Sequence, residues 1–222
     1  MVTTTGQDVD VASRRRHDVA LRRRPNAWSA LELAVGIVLL AAATVAGVIL
    51  RQRPWPNRLD KFGWSFLGDM TTHRAQQLVH LGSDQALVVG VVIFCGFALW
   101  QRDWVRAVVC VVAPVGAVIL VQLVAKPLVA RDYGGALSYP SGTVTVIAAL
   151  AACLLLVAPG VAKVPAAIVG ALAVVAVSLA VLNLHWHLLT DALGGICIGF
   201  GLVFALDSIG HLIFKSGASA HR

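Results

Sequence analysis

Three short clusters of polar residues contain the side chains of this sequence that could perform chemistry. They read AKPLVARDY at 125–133, YPSGT at 139–143 and LNLHWHLLTDALGG at 182–195. In the last cluster His187 and Asp191 are four residues apart, so on a helix they share a face. The carboxylate could hold one ring nitrogen protonated and leave the other free. That is the arrangement of a nucleophile with its orienting group.

The other two clusters offer groups that bind phosphate. Lys126 and Arg131 supply positive charge, and a guanidinium can fork onto two oxygens. Ser141, Gly142 and Thr143 open an apolar run, where a helix N-terminus would point free amides at an anion. Each signal alone is commonly a snorkelling anchor, a helix cap or a local contact. Together, and at neighbouring helix ends, they indicate a phosphate site.

The segments between these clusters are those of a membrane protein. Of the 222 residues, 58% are hydrophobic and 13% are charged, whereas soluble domains have about 25% charged residues. Apolar runs of about 20 residues cross a bilayer as helices, because unpaired backbone groups are too costly in lipid. We therefore predict an all-α fold, a polytopic bundle of six transmembrane helices. The predicted spans are 28–50, 86–101, 104–125, 142–158, 165–184 and 192–214.

The predicted organisation is one membrane domain at 25–214 between two cytoplasmic tails. The first tail, 1–24, is predicted to be disordered and basic, and the second is 215–222. The arginines of the first tail indicate that both termini are cytoplasmic in a multi-pass inner-membrane protein. This orientation places the polar clusters at the outer face. Topogenic charge and contact with anionic lipid explain the basic tail without nucleic-acid binding. Segment 51–85 is predicted to be an interfacial connector that could also admit a lipid sideways.

From about residue 60 to 210 the sequence resembles the type 2 phosphatidic acid phosphatase (PAP2) family. The family's motifs run K-x6-R-P, P-S-G-H and S-R-x5-H-x3-D. Lys126 matches the first, YPSGT at 139–143 matches most of the second, and His187 and Asp191 match the third. The resemblance implies a six-helix membrane phosphatase in which the third motif's histidine attacks phosphorus and its aspartate orients that histidine. It also implies that no metal or other cofactor is needed.

Three positions depart from these motifs. Tyr133 stands where the first motif has arginine, which leaves Arg131 as the nearest substitute. Thr143 stands where the family has the histidine that protonates the leaving oxygen, and Val181 stands where the third motif has arginine. At an irregular helix end His185 could reach the same pocket and act as the acid.

These residues support a membrane lipid phosphatase that hydrolyses a lipid phosphate or polyprenyl diphosphate at the outer face through His187. A diphosphate is favoured because its leaving phosphate has a second pKa of about 6 and needs little help from an acid. The alternative is a catalytically inactive lipid-phosphate-binding protein or scaffold subunit of an envelope-assembly complex. A transporter is disfavoured, because no predicted span is broken at mid-membrane. The expected partners are a membrane lipid substrate, the bilayer, and a second copy or an envelope enzyme.

Overall fold

The computed structural model describes the backbone of residues 26–220 except 66, 68 and 69, and side chains between 28 and 214. The predicted tail at 1–24 lies outside the described residues. The described chain contains nine α-helices. They are α1 (Asn26–Leu50), α2 (Arg58–Trp64), α3 (Thr72–Val79), α4 (Asp84–Trp100), α5 (Trp104–Ile119), α6 (Lys126–Val129), α7 (Gly142–Val157), α8 (Lys163–Asn183) and α9 (Leu189–Ala220).

Shorter elements connect these helices. The 3₁₀ turn His80–Gly82 precedes α4, and Gly160–Ala162 precedes α8. Strands β1 (Asp132–Tyr133) and β2 (Ala136–Leu137) form an antiparallel hairpin, with Asp132 opposite Leu137 and Tyr133 opposite Ala136. Apart from this hairpin, the described chain is all-α, as predicted.

Each of the six predicted spans coincides with a helix, but six membrane crossings are not confirmed. Among the described residues, four helical stretches are long and apolar enough to cross: Trp28–Leu50, Trp104–Val129, Gly160–Asn183 and Leu189–Phe214. A fifth is present if Thr72–Gly82 and Asp84–Trp100, which are bent by 44°, form one span. Helix α7 has only 16 residues, or about 24 Å, less than the roughly 30 Å of a hydrocarbon core. The protein is a multi-pass membrane protein.

Side-chain caps fix where several helices begin. The Asn57 side chain accepts from the Asp60 amide while the Asp60 carboxylate accepts from the Asn57 amide, a reciprocal capping box that starts α2. Thr71, Ser83 and Ser141 each accept an amide of the first turn of α3, α4 and α7. The Pro-Ser-Gly sequence therefore begins a helix, as predicted.

Helix α7 lies at the centre of the bundle. Twelve of its 16 residues are buried, against α4, α5, α8 and α9. Small residues allow this close approach: Gly199 of α9 lies against Ala148 and Ala149, and Gly170 of α8 lies against Ala151. Among the described helices, the most buried one thus holds the YPSGT cluster at its N-terminal end.

The third span changes its winding just before the first polar cluster. Residues Leu120–Ala125 form a π-helical turn between α5 and α6. Pro127 lacks the amide that would bond to the carbonyl four residues earlier, and the wider turn accommodates this loss. Helix α6 ends at Val129. The following Ala130 has a left-handed φ of 48°, and this reversal leads the chain into Arg131 and the hairpin.

Candidate active site

The N-terminal end of α7 meets the start of α9 through the backbone. The Ser141 amide donates to the Asp191 carbonyl oxygen at 3.0 Å. A β-carbon on Gly195 would lie 2.7 Å from the Ser141 carbonyl oxygen, so only glycine allows this approach. The second and third polar clusters are therefore joined directly.

His187 and Asp191 are close, but not because they share a helix. Helix α9 begins at Leu189, so His187 lies in the preceding bend. Its Nδ1 is 3.8 Å from Asp191 Oδ2, and its side chain is 12% exposed. The same Oδ2 accepts the Leu188 amide at 2.9 Å, which caps the helix. The two side chains are close, as their spacing of four residues indicated, and a cap and a bend bring them together rather than one continuous helix.

Arg131 lies at the centre of a fully buried ion network. Nη1 donates to Asp191 Oδ1 and to Thr190 Oγ1, both at 2.7 Å, and Nη2 donates to Asp60 Oδ2 at 2.8 Å. Nε donates to the Arg53 carbonyl oxygen at 3.1 Å. The side chains of Arg131, Asp60 and Asp191 are 0% exposed. The prediction that Arg131 binds substrate phosphate is not supported by this arrangement, because the guanidinium is bound to protein carboxylates.

Asp60 brings the connector segment into this network. Its Oδ1 accepts from both the amide and the hydroxyl of Thr190, at 2.9 and 2.7 Å. Burial alone would raise the pKa of the Asp60 carboxyl, but hydrogen bonds from Thr190, Arg131 and the Asn57 amide together lower it below its usual value. Sequence reasoning missed Asp60 and Thr190. The only local signal was Asn57-x-x-Asp60, which indicates a cap and says nothing about Arg131.

Lys126 and Gln122 approach the site from the π-helical turn. Lys126 is half-buried and lies within electrostatic range of the Asp191 carboxylate. Gln122 is close to the start of α7, since a β-carbon on Gly142 would stand 2.9 Å from Gln122 Nε2. Gln122 was also missed, although an amide within the apolar run VILVQLVAK was an available signal. All three polar clusters thus meet at one end of the bundle.

No group of three or more His, Cys, Asp or Glu residues is placed to hold a metal ion in the part of the chain that the structure describes. The ionisable side chains of the site are the buried network, His187 and Lys126. Apart from the histidine, these groups are two carboxylates, one guanidinium and one ammonium.

Comparison with known proteins bears on this fold. No protein-family model matches the chain, and no curated protein matches it. The crystal structure of a transmembrane PAP2 type phosphatidylglycerolphosphate phosphatase from Bacillus subtilis superposes with a TM-score of 0.64. The match covers 80% of this chain and 96% of that chain, at 18% sequence identity. This chain has a PAP2-type fold.

The PAP2-type fold brings together the positions that match the family's motifs. Lys126, Ser141, His187 and Asp191 lie where α6, α7 and α9 meet. At 18% identity the likeness establishes the fold and leaves the reaction to be tested.

The residues that depart from the PAP2 motifs have different surroundings. Thr143 is half-buried in the first turn of α7, with Gly82 packed against its carbonyl and methyl groups. Tyr133 is half-buried in β1, and Val181 is fully buried among apolar side chains of α8. His185 is exposed, with a φ of 56°, and its Nδ1 donates to the Asn183 carbonyl oxygen at 2.9 Å. Its role as an acid stays a prediction.

Proposed function

We propose that the protein is a membrane phosphatase that hydrolyses a lipid phosphate or polyprenyl diphosphate, with His187 as nucleophile and Asp191 as its orienting carboxylate. The observation that carries this proposal is the junction of α7 and α9. There the Ser141 amide bonds to the Asp191 carbonyl at 3.0 Å, and His187 Nδ1 lies 3.8 Å from the Asp191 carboxylate. A nucleophile, its orienting group and a helix end suited to an anion thus occupy one small region.

In the proposed reaction His187 attacks through Nε2. Its Nδ1 is buried, faces Asp191 and has no hydrogen-bond partner among the described residues. With the proton on Nδ1, the Nε2 lone pair attacks phosphorus in line with the leaving oxygen. The P–O bond breaks, its electron pair leaves with that oxygen, and a phosphohistidine forms. Water then attacks phosphorus and releases a proton to solvent, the N–P electron pair returns to Nε2, and phosphate is released.

Asp191 must move slightly to assist this chemistry. Its Oδ2 is 3.8 Å from Nδ1, so the atoms must approach by about 1 Å to form a hydrogen bond. Catalytic hydrogen bonds are often long in empty sites and tighten around substrate. The Arg131 network holds the other carboxylate oxygen at 2.7 Å, which makes Arg131 a positioning residue.

The phosphate group would lie against the start of α7. The amides of Gly142 and Thr143 belong to the unpaired donors of the first helical turn. Lys126 supplies the nearby positive charge, and Ser141 fixes the turn by capping the helix. These contacts replace part of the charge that the PAP2 motifs supply through arginines.

Thr143 favours a diphosphate substrate. A hydroxyl can donate a hydrogen bond to the bridging oxygen, but it is too weak an acid to replace imidazole. A positioned general acid contributes about 10²–10⁴-fold to the rate. A departing phosphate, with a pKa near 6, needs far less protonation than an alkoxide. We therefore expect faster release of phosphate from a polyprenyl diphosphate than from a monophosphate.

A second candidate, lipid-phosphate binding without turnover, is favoured by one observation. Arg131 bonds to Asp191 at 2.7 Å and the Leu188 amide bonds to its other oxygen at 2.9 Å. A carboxylate held in this way stabilises a charged imidazole less strongly. Such a protein could serve as a scaffold subunit in envelope assembly.

Phosphate release from purified protein separates the two candidates. The substrates are a polyprenyl diphosphate, a polyprenyl monophosphate and phosphatidic acid, and the comparison is wild type against His187→Ala. We expect wild-type turnover, fastest on the diphosphate, and none above background for His187→Ala. Equal inertness with retained lipid binding would support the second candidate. Loss of monophosphatase activity in His185→Ala would identify His185 as the acid.

The proposed orientation places the site at the outer face and both termini in the cytoplasm of an inner membrane. The arginines of the N-terminal segment support it. A cysteine replacing exposed Leu137, in a variant without the native cysteines, tests this orientation in intact cells. Labelling by a membrane-impermeant thiol reagent is expected, and labelling only after lysis would reverse the orientation.

A further inference from the structure

An apolar groove opens on the flank of the bundle beside the candidate active site. Its volume is about 460 Å³, within the range of roughly 300–1,000 Å³ that is usual for ligand pockets. One wall is α1 from Leu40 to Arg51, and the other is the π-helical turn with α6. Buried Tyr139 and Ile198 form the floor. The groove is therefore a gap between helices rather than an ordinary lipid-facing surface.

The chemistry of the groove changes along its length. The wall from Leu40 to Arg51 runs over twelve residues, or about 16 Å, and its side chains are aliphatic except for Thr44 and the terminal Arg51. The Thr44 hydroxyl donates to the Leu40 carbonyl at 2.8 Å, so its donor is already used within the helix. The occupant that this pattern fits is a hydrocarbon chain with an anionic group at the Arg51 end.

The Arg51 end of the groove is tied to the candidate site. The Gln52 amide donates to the Val129 carbonyl at 3.0 Å, and the Arg53 carbonyl accepts from Arg131 Nε at 3.1 Å. On the opposite wall, Ala125 and Leu128 line the groove, and Lys126 lies between them in the sequence. The groove and the phosphate-binding groups thus share one structural wall.

We propose that this groove binds one hydrocarbon chain of a membrane lipid that carries an anionic phosphate head group, with Arg51 contacting the head group. The inference rests on the proposed function in that the same lipid would present its phosphate to Lys126 and His187. Close packing requires that such a gap be filled within a bilayer, and an acyl or isoprenyl chain matches its shape and lining.

The first test fills the groove with a side chain. Thr44→Trp places an indole in the groove, whereas Val45→Trp, one residue along the same helix, places it on an exposed position outside the groove lining. The probe is phosphatidic acid with 16-carbon chains, and its retention by protein purified in detergent is measured by native mass spectrometry. We expect Thr44→Trp to weaken retention on the order of tenfold, because several methylenes lose their contacts. Val45→Trp should remain within about twofold of wild type.

The second test removes the charge at the end of the groove. Arg51→Gln should weaken retention by several-fold, and Arg58→Gln, an exposed arginine at the start of α2, should leave it unchanged. This pair does not alter packing, so it tests the inference even if Thr44→Trp impairs folding. Equal effects of Thr44→Trp and Val45→Trp, together with equal effects of the two arginine variants, would overturn the inference.

A soluble substrate separates failure of the groove from failure of the proposed function. p-Nitrophenyl phosphate has no chain, so Thr44→Trp should hydrolyse it at the wild-type rate while losing activity on phosphatidic acid. If wild type hydrolyses neither substrate but Thr44→Trp still weakens lipid retention, the groove stands and the proposed phosphatase activity fails. If Thr44→Trp converts a dimer to a monomer and lipid retention is unchanged, the groove is a subunit interface and the inference is wrong.

Discussion

Residues 187–211 carry a histidine–aspartate pair at each end, and the two pairs have different surroundings. At one end His187 is followed four residues later by Asp191, 3.8 Å away, and at the other Asp207 is followed by His211, 3.5 Å away. Both aspartates are 0% exposed. They are sixteen residues apart, or about 24 Å along the helix. Each also lies near an arginine, Arg131 or Arg106.

The surroundings distinguish the ends. Around Asp191 the arginine is fully buried and bonds at 2.7 Å, and a helix N-terminus and Lys126 lie nearby. Around Asp207, Arg106 is 3.8 Å away, is 16% exposed, and lies closer to Asp103, at 3.3 Å. The far end has positive charge without a cluster of free amides from α7. A histidine and an aspartate four residues apart therefore do not by themselves predict a phosphate site. The His187–Asp191 pair differs in lying beside a helix N-terminus and a lysine.

The largest expected difference between the ends is catalytic. His187→Ala should lower phosphate release from a polyprenyl diphosphate by on the order of 10³-fold or more, because it removes the proposed nucleophile. His211→Ala should remain within about twofold of wild type. Comparable losses in the two variants would show that the ends do not differ in function. Initial rates with matched protein concentrations measure the ratio.

The next difference is in stability. Arg131→Ala leaves the buried carboxylates of Asp60 and Asp191 without their cation, and we expect it to lower the free energy of unfolding by about 3–5 kcal/mol. Arg106→Ala removes a longer, partly exposed contact and should cost about 1 kcal/mol or less. Denaturant unfolding in detergent micelles measures both variants. A similar loss for Arg106→Ala would mean that both networks stabilise the fold equally.

A gain of activity would sharpen the role of the α7 end. Thr143→His places an imidazole where the PAP2 motif has its acid, next to Gly82. We expect monophosphate hydrolysis to rise by about tenfold. This is less than the roughly 10²–10⁴-fold that a well-placed acid supplies, because Gly82 crowds the position. Diphosphate hydrolysis should change little. Thr72→His, at an exposed position of α3, is the control, and an equal gain there would contradict the assignment.

The smallest effect is the acid dependence of the buried network. The pKa of Asp60 is lowered on folding, so its ionised form stabilises the fold above the unfolded-state pKa of about 3.9. That contribution is lost as the pH falls through the lower folded-state pKa. The thermal unfolding temperature of wild type should therefore not depend on this group between pH 7 and 5, and it should fall below about pH 4. Asp60→Asn, less stable at neutral pH, should show a flatter decline in acid.

Much of the architecture was predictable from the sequence because a helix that crosses a bilayer needs a long, continuous apolar run. The runs at 28–50 and 165–184 are apolar on every side, and unpaired backbone groups in lipid force them into helices. The Ser141 cap at the start of α7 was also predictable, since its signal is local. The six-crossing prediction was not confirmed, because α7 gains its stability from burial by other helices and is too short to be judged by length alone.

The candidate site was predictable only in part. Lys126, Ser141, His187 and Asp191 could be selected by residue type and order, and the fold places them at one end of the bundle. The role of Arg131 could not be predicted. Its partner Asp60 is 71 residues away in the chain and lies in a helix of only seven residues, so no periodic or local pattern connects them.

The sequence by itself determined that this protein lies in a membrane, where its long helices are, and which residues could bind or attack a phosphate. Those properties depend on hydrophobicity, helical spacing and local caps, which are encoded over a few neighbouring residues. Only the tertiary structure decided which cation Asp191 pairs with, that His187 precedes α9 rather than lying on it, and that a groove adjoins Lys126. Each of these depends on how separate helices approach one another, and the energy of a buried charge is set by partners that are distant in the chain.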